Sequence, residues 1–117
     1  MDELAQQHCI PIGANTLRLN DHDVSQLKAK LPGWQTYEKG AELRLEKVFK
    51  FEDFRKAIAF TNQIALAANE EDHHPAILTE WGKVTVTWWT HKIKGLHQND
   101  FIMAAKTDQL YGDQYGS

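Results

Sequence analysis

Cysteine is nearly absent: Cys9 is the single one among 117 residues. One thiol can form neither an internal disulfide nor a Cys-based zinc site, and it fits a reducing compartment such as the cytosol. Uninterrupted apolar runs are short, far below the ~18 residues of a membrane span. No basic start followed by an apolar stretch opens the chain, so neither an anchor nor an export signal is expected. Basic charge is also scarce. Thirteen Lys and Arg against 16 Asp and Glu leave a net charge of -3, with no basic block longer than two residues. The electrostatic footprint of a DNA or RNA binder is missing. Seven glycines and three prolines are too few for a low-complexity chain, while 42% hydrophobic and 25% charged residues are the balance of a folded domain. The length suits one domain. There are no internal repeats, no P-loop, no G-x-G-x-x-G and no Ser-His-Asp order, so nucleotide hydrolysis, dinucleotide redox chemistry and acyl transfer find no support.

What is present is ordered. Residues 1–19 show no periodicity and are broken by Pro11 and Gly13, so they read as a tail lying on or off a domain spanning 20–112, with a second tail at 113–117. Asn20 or Asp21 caps a short helix carrying Val24, Leu27 and Leu31, stopped by Pro32-Gly33. Residues 34–37 and 41–49 flank a Glu-Lys-Gly turn, and the second alternates Leu43 and Leu45 with Glu42, Arg44 and Glu46, predicting a hairpin with one wet face. From 51 to about 69, Phe54, Ala57, Ile58, Phe60, Ile64, Ala65 and Ala68 recur at helical spacing. The stripe is wide enough to be covered from more than one side, which suggests an oligomer contact. Residues 76–80 and 83–91 form a second hairpin across Trp81-Gly82. In it Val84, Val86 and Trp88 face one way, and Thr85, Thr87, Trp89 and His91 the other. Asn99-Asp100 caps a last helix to about Tyr111. The order helix-hairpin-helix-hairpin-helix predicts an α+β domain: a four-stranded antiparallel sheet with three helices on one face and the other face free for a flat polar ligand.

The chemistry concentrates in the run 70–75, Glu-Glu-Asp-His-His-Pro, and in His91. Imidazoles titrate near pH ~6.5 and can give or take a proton at neutral pH. Pro75 keeps His74 extended, and His73 and His74 then project to different sides. Such a set suits acid-base work on a neutral organic substrate. A plain surface loop is the competing structural reading. A zinc site built from His73, His74, His91 and carboxylates is a third, opposed by the lack of H-E-x-x-H and of Cys ligands. Four tryptophans are a heavy aromatic load. Trp88 is assigned to the core, while Trp34 and Trp89 are candidates to stack on a planar ring.

His73-His74-Pro75, five residues, Trp81, nine residues, His91, eight residues and Asp100 together resemble the signature of the pterin-4a-carbinolamine dehydratases, with Gly33-Trp34, Phe51-x-x-Phe54, Gly95-Leu96 and Asn99-Asp100 extending the likeness over about 21–110. Segment 79–84, Thr-Glu-Trp-Gly-Lys-Val, is similar to the bacterial branch. The resemblance implies a cytoplasmic hydro-lyase acting on 4a-hydroxytetrahydropterin, in tetrahydrobiopterin recycling for an aromatic amino acid hydroxylase such as that of phenylalanine hydroxylation. It implies no metal, no organic cofactor, no nucleic acid and no membrane, and it suggests a homodimer or homotetramer. It makes His73, His74 and His91 the catalytic set, with Trp34, His74, Pro75 and Trp89 around the substrate. The family often has an acidic residue four positions before the first motif histidine; here that position is Asn69, which leaves a partner carboxylate unassigned. Asp72 and Asp100 match acidic positions that a loop turn and a helix cap also explain. Family members that act as dimerisation cofactors of a transcription regulator make a protein-interaction module the alternative.

Overall fold

The computed structural model describes residues 2–114. Its elements run α1 (Asp2–Gln6), α2 (Asp21–Ala29), β1 (Gln35–Lys39), β2 (Glu42–Lys50), α3 (Phe54–Glu71), β3 (Ala76–Glu80), β4 (Lys83–Trp88), a 3-10 turn (His91–Ile93) and α4 (Gln98–Gln114). The four strands form one antiparallel sheet in the order β1-β2-β4-β3, so the two hairpins meet along β2 and β4. Helices α2, α3 and α4 lie on one face of it, giving the predicted α+β architecture.

Local chemistry explains the elements. Asn20 caps α2 by accepting the Asp23 N–H at 2.8 Å, and Asp53 caps α3 by accepting the Lys56 N–H at 2.9 Å. The β1–β2 loop holds Gly40 and Ala41, both at positive φ (59° and 65°), the two-residue geometry whose twist matches antiparallel strands. Along α3, Ala57, Phe60, Ile64 and Ala68 are buried, and they meet Leu45, Phe49, Val84, Val86 and Trp88 of the sheet and Phe101, Met103 and Ala104 of α4 in one core. Phe49 and Phe60 lie 5.0 Å apart, ring to ring. Each such buried ring stabilises the fold by about 1.5–3 kcal/mol.

The N-terminal segment, expected as a tail lying on or off the domain, contains α1, whose Leu4 and Ala5 are buried and which packs on α4. A helix this short forms only through tertiary packing, so no periodicity announces it. The last helix starts at Gln98, not after Asp100, because His97 is the capping residue. His91 is not on β4, which ends at Trp88; a lone bridge between Thr90 and Gly95 turns the chain into the 3-10 turn that His91 opens. Of the expected C-terminal tail, 113–114 belong to α4 and 115–117 lie outside the described residues.

Candidate active site

His73 emerges from the end of α3. The helix closes on Asp72 in the left-handed conformation (φ 53°), a conformation aspartate tolerates better than most residues, and the His73 N–H returns to the Ala68 carbonyl at 3.1 Å. This closure turns the His73 side chain inward. Its ring lies nearly parallel to the Trp88 indole, with centroids 6.0 Å apart, and its Nε2 is 2.6 Å from Asp100 Oδ1.

Asp100 is fully buried, and both of its carboxylate oxygens have partners. Oδ2 accepts from the Thr90 hydroxyl at 2.8 Å and from the His97 N–H at 2.9 Å, while Oδ1 faces His73. The His97 bond is the acidic arm of a capping box for α4. The other arm is His97 itself, whose Nδ1 accepts the Asn99 N–H at 3.0 Å. A cap at the first turn of α4 is therefore also the partner of the best-placed imidazole. An ionised carboxylate only accepts, so the 2.6 Å contact fits the tautomer of His73 with its hydrogen on Nε2. Sequence reasoning matched Asp100 to the motif and explained it as a helix cap, without pairing it with a histidine.

His74 is exposed, with Nε2 3.0 Å from Asn69 Oδ1. Asn69, at the position where an acid is usual, thus orients His74 without charging it. Pro75 follows, half-buried. His91 is also exposed, and its Nδ1 lies 3.0 Å from Glu42 Oε2. Beside it on the free sheet face, Arg44 stacks on Trp89 at 3.9 Å. Glu42 Oε1, Arg44 Nε and Trp89 Nε1 are buried there without a hydrogen-bond partner among the described residues. Trp34 sits in the core, 1% exposed, donating to Asp108 Oδ2 at 3.0 Å.

A cavity of about 600 Å³ opens on His73. It is lined by Glu70, Glu71 and Asp72 at the end of α3, by the N-terminal residues 8–12 and by Lys92. His74, His91, Trp34 and Trp89 are not among its lining residues, so within one chain His73 is the candidate brought to the cavity and the others are held at separate positions. Cys9 lines the cavity, but burial, with the nearby charges of Glu71 and Asp100, pushes its thiol up to about 12. While it is held in this position it is protonated at neutral pH and is a poor nucleophile. No group of three metal-ligating side chains occurs among the described residues, and no described helix is long and apolar enough to cross a membrane.

His97 titrates below the ordinary imidazole range: burial dominates, His73 adds to it, and Asp100 and the Asn99 contact oppose. The folded chain thus refuses a proton that the unfolded chain binds below its pKa of about 6.5. The unfolded state binds more protons in that window, so stability rises with pH there and is lost as pH falls below about 6.5. Urea unfolding between pH 7.5 and 5 is expected to show a shallower loss for His97→Asn, which keeps a capping side chain, than for wild type. Identical slopes would remove His97 from the pH response.

Fold and site define an α+β protein with a buried histidine–carboxylate pair at a polar cavity. The family model for pterin 4 alpha carbinolamine dehydratase matches residues 17–110. The chain belongs to the pterin-4a-carbinolamine dehydratase family. A Microcystis aeruginosa protein with the provisional name pterin-4-alpha-carbinolamine dehydratase is 54% identical over 114 residues, 97% of this chain and 98% of that protein. A Brucella melitensis structure described as a transcriptional coactivator/pterin dehydratase superposes with a TM-score of 0.73 at 35% identity, over 80% of this chain and 97% of that one. A pterin dehydratase-like RuBisCO assembly factor of the alpha-carboxysome, 24% identical with a TM-score of 0.59 over 70% of this chain and 93% of that one, shares the fold.

Proposed function

We propose that the protein dehydrates 4a-hydroxytetrahydropterin to quinonoid dihydropterin in the cytoplasm, without metal or organic cofactor, returning the pterin to an aromatic amino acid hydroxylase. The observation that carries the reading is the His73–Asp100 pair at the cavity, in a chain of this family. As the C4a–O bond breaks, the leaving hydroxyl takes a proton and departs as water. The N5 lone pair forms the C4a=N5 bond, and N5 gives up its proton, so atoms and charge balance. His73, with Asp100 behind Nε2, is a proton donor through Nδ1, the imidazolium being stabilised by the carboxylate. His91, backed by Glu42, is the second donor, for the opposite ring face, and His74 binds the pterin and takes the N5 proton. Trp34, Pro75 and Trp89 remain proposed as substrate neighbours.

The test is the decay of freshly generated 4a-hydroxytetrahydropterin, followed by ultraviolet absorbance with and without protein, because the reaction also runs uncatalysed. Acceleration proportional to protein is expected. A rate equal to the blank, with protein shown folded by circular dichroism, defeats the reading. A second reading, an interaction module, is favoured by Phe54, Ile58 and Leu66, which stand exposed on α3 (46%, 37% and 70%). The same stripe is the proposed contact of a homodimer or homotetramer.

A further inference from the structure

Residues 8–12 lie outside the part of the chain that the family model matches, yet they line the cavity at His73. They are held there by named contacts. Glu71 Oε1 accepts the Cys9 N–H at 2.7 Å, and Oε2 meets His8 Nδ1 at 2.7 Å. The Asn99 side chain takes both polar groups of Ile10: Oδ1 accepts its N–H at 3.0 Å and Nδ2 donates to its carbonyl at 2.8 Å. Lys92 Nζ donates to the Ile12 carbonyl at 3.2 Å. Asn99 is 1% exposed, and both groups of its amide are engaged by the strap.

The anchors have a telling place in the chain. Glu71 precedes His73 by two residues, and Asn99 immediately precedes Asp100. The strap is therefore tied to both sides of the His73–Asp100 pair. It brings Ile10, Pro11 and Ile12 to a cavity that Glu70, Glu71 and Asp72 also line, so apolar side chains and acceptors share one lining. That combination suits a flat heterocycle with N–H donors on one edge.

We propose that residues 8–12 are a wall of the substrate pocket and that Glu71 is the positioning residue that seats them, a role resting on the dehydratase reading. The strap sets how tightly the pterin is held, and the proton transfers stay with the histidines. Burial works against the Glu71 charge, but the Cys9 N–H, His8 and the Lys106 ammonium 3.9 Å away outweigh it and hold the carboxyl below its usual range. The tether is consequently charged at neutral pH.

Cys9, the one cysteine, reports the strap. In the full chain, its labelling by an aromatic disulfide reagent should slow about tenfold when 7,8-dihydrobiopterin, which has no 4a hydroxyl to lose, occupies the pocket, the scale of a closed strap opening against one charge-assisted hydrogen bond. Glu71→Gln should label about tenfold faster than wild type and raise KM about tenfold, with kcat within about threefold. His8→Ala, at a position 80% exposed and harmless to folding, should shift both readings in the same direction by less. Faster labelling with unchanged KM, no protection by the pterin, or no change in labelling for Glu71→Gln each overturns the proposal. Absence of turnover in wild type defeats the dehydratase reading itself and the strap's role with it, a result distinct from turnover without protection.

Discussion

His73→Ala is expected to lower the rate of 4a-hydroxytetrahydropterin dehydration by about 10²-fold or more, the low end of what a positioned acid or base contributes. The reason is geometric. His73 is the one motif histidine that lines the cavity, and it is backed by a buried carboxylate, 2.6 Å from Nε2. Alanine removes the exchangeable proton and the group that the carboxylate stabilises. The effect should appear in kcat, with a smaller change in KM, because proton donation matters most as the C4a–O bond breaks. His91→Ala should fall by a similar factor for the stereoisomer whose hydroxyl it serves. Its fold should be undisturbed, since the ring is 81% exposed. If His73→Ala and His91→Ala both kept activity within twofold of wild type, neither imidazole would be the acid. Thermal unfolding of each variant separates lost chemistry from lost structure.

The largest stability effect is expected at Asp100. Its carboxylate accepts from His73, from the Thr90 hydroxyl and from the His97 N–H, and nothing of it reaches solvent. Asp100→Ala leaves all three donors facing a hole, and should cost about 3–5 kcal/mol, the range seen when one partner of a buried pair is removed. Asp100→Asn retains one acceptor oxygen and should cost less while still depressing turnover, because the charge behind His73 is gone. Urea midpoints at unchanged m-value measure both. A loss below about 1 kcal/mol for Asp100→Ala, the worth of one ordinary hydrogen bond, would mean that these contacts do not form a working network.

Much of the fold is legible in the chain because local signals agree. Asn20 sits before a helical period and acts as a cap, whereas α3 starts at Phe54 behind Asp53 and not at 51; the alternation of Val84, Val86 and Trp88 with Thr85 and Thr87 sorts β4 into an apolar and a polar face, although Thr87 is buried against Glu46. Trp88 is in the core as its alternation predicts. Other features have no local signal. A histidine N-cap is unusual, so the start of α4 at His97 is hidden behind the more familiar Asn99-Asp100 pair. Burial of Trp34 against Phe49, with rings 5.9 Å apart, depends on where α4 delivers Asp108, not on residues next to Trp34. The displacement of His91 off β4 follows from the Thr90–Gly95 bridge, a contact across a loop.

Residue types and spacing alone determined the element order, the antiparallel hairpins and the amphipathic faces, because those depend on periods of 2 and 3.6 and on neighbours a few residues apart, while the three motif histidines are legible through the family resemblance. Only the tertiary structure decided which histidine meets the cavity and which carboxylate backs it, since residues 73 and 100 come together by the packing of α3 and α4 on the sheet. The same packing converts an aperiodic N-terminal segment into a wall of that cavity. Its backbone hydrogen bonds are satisfied by Glu71 and Asn99, residues about 60 and 90 positions away along the chain, a separation no local pattern can encode.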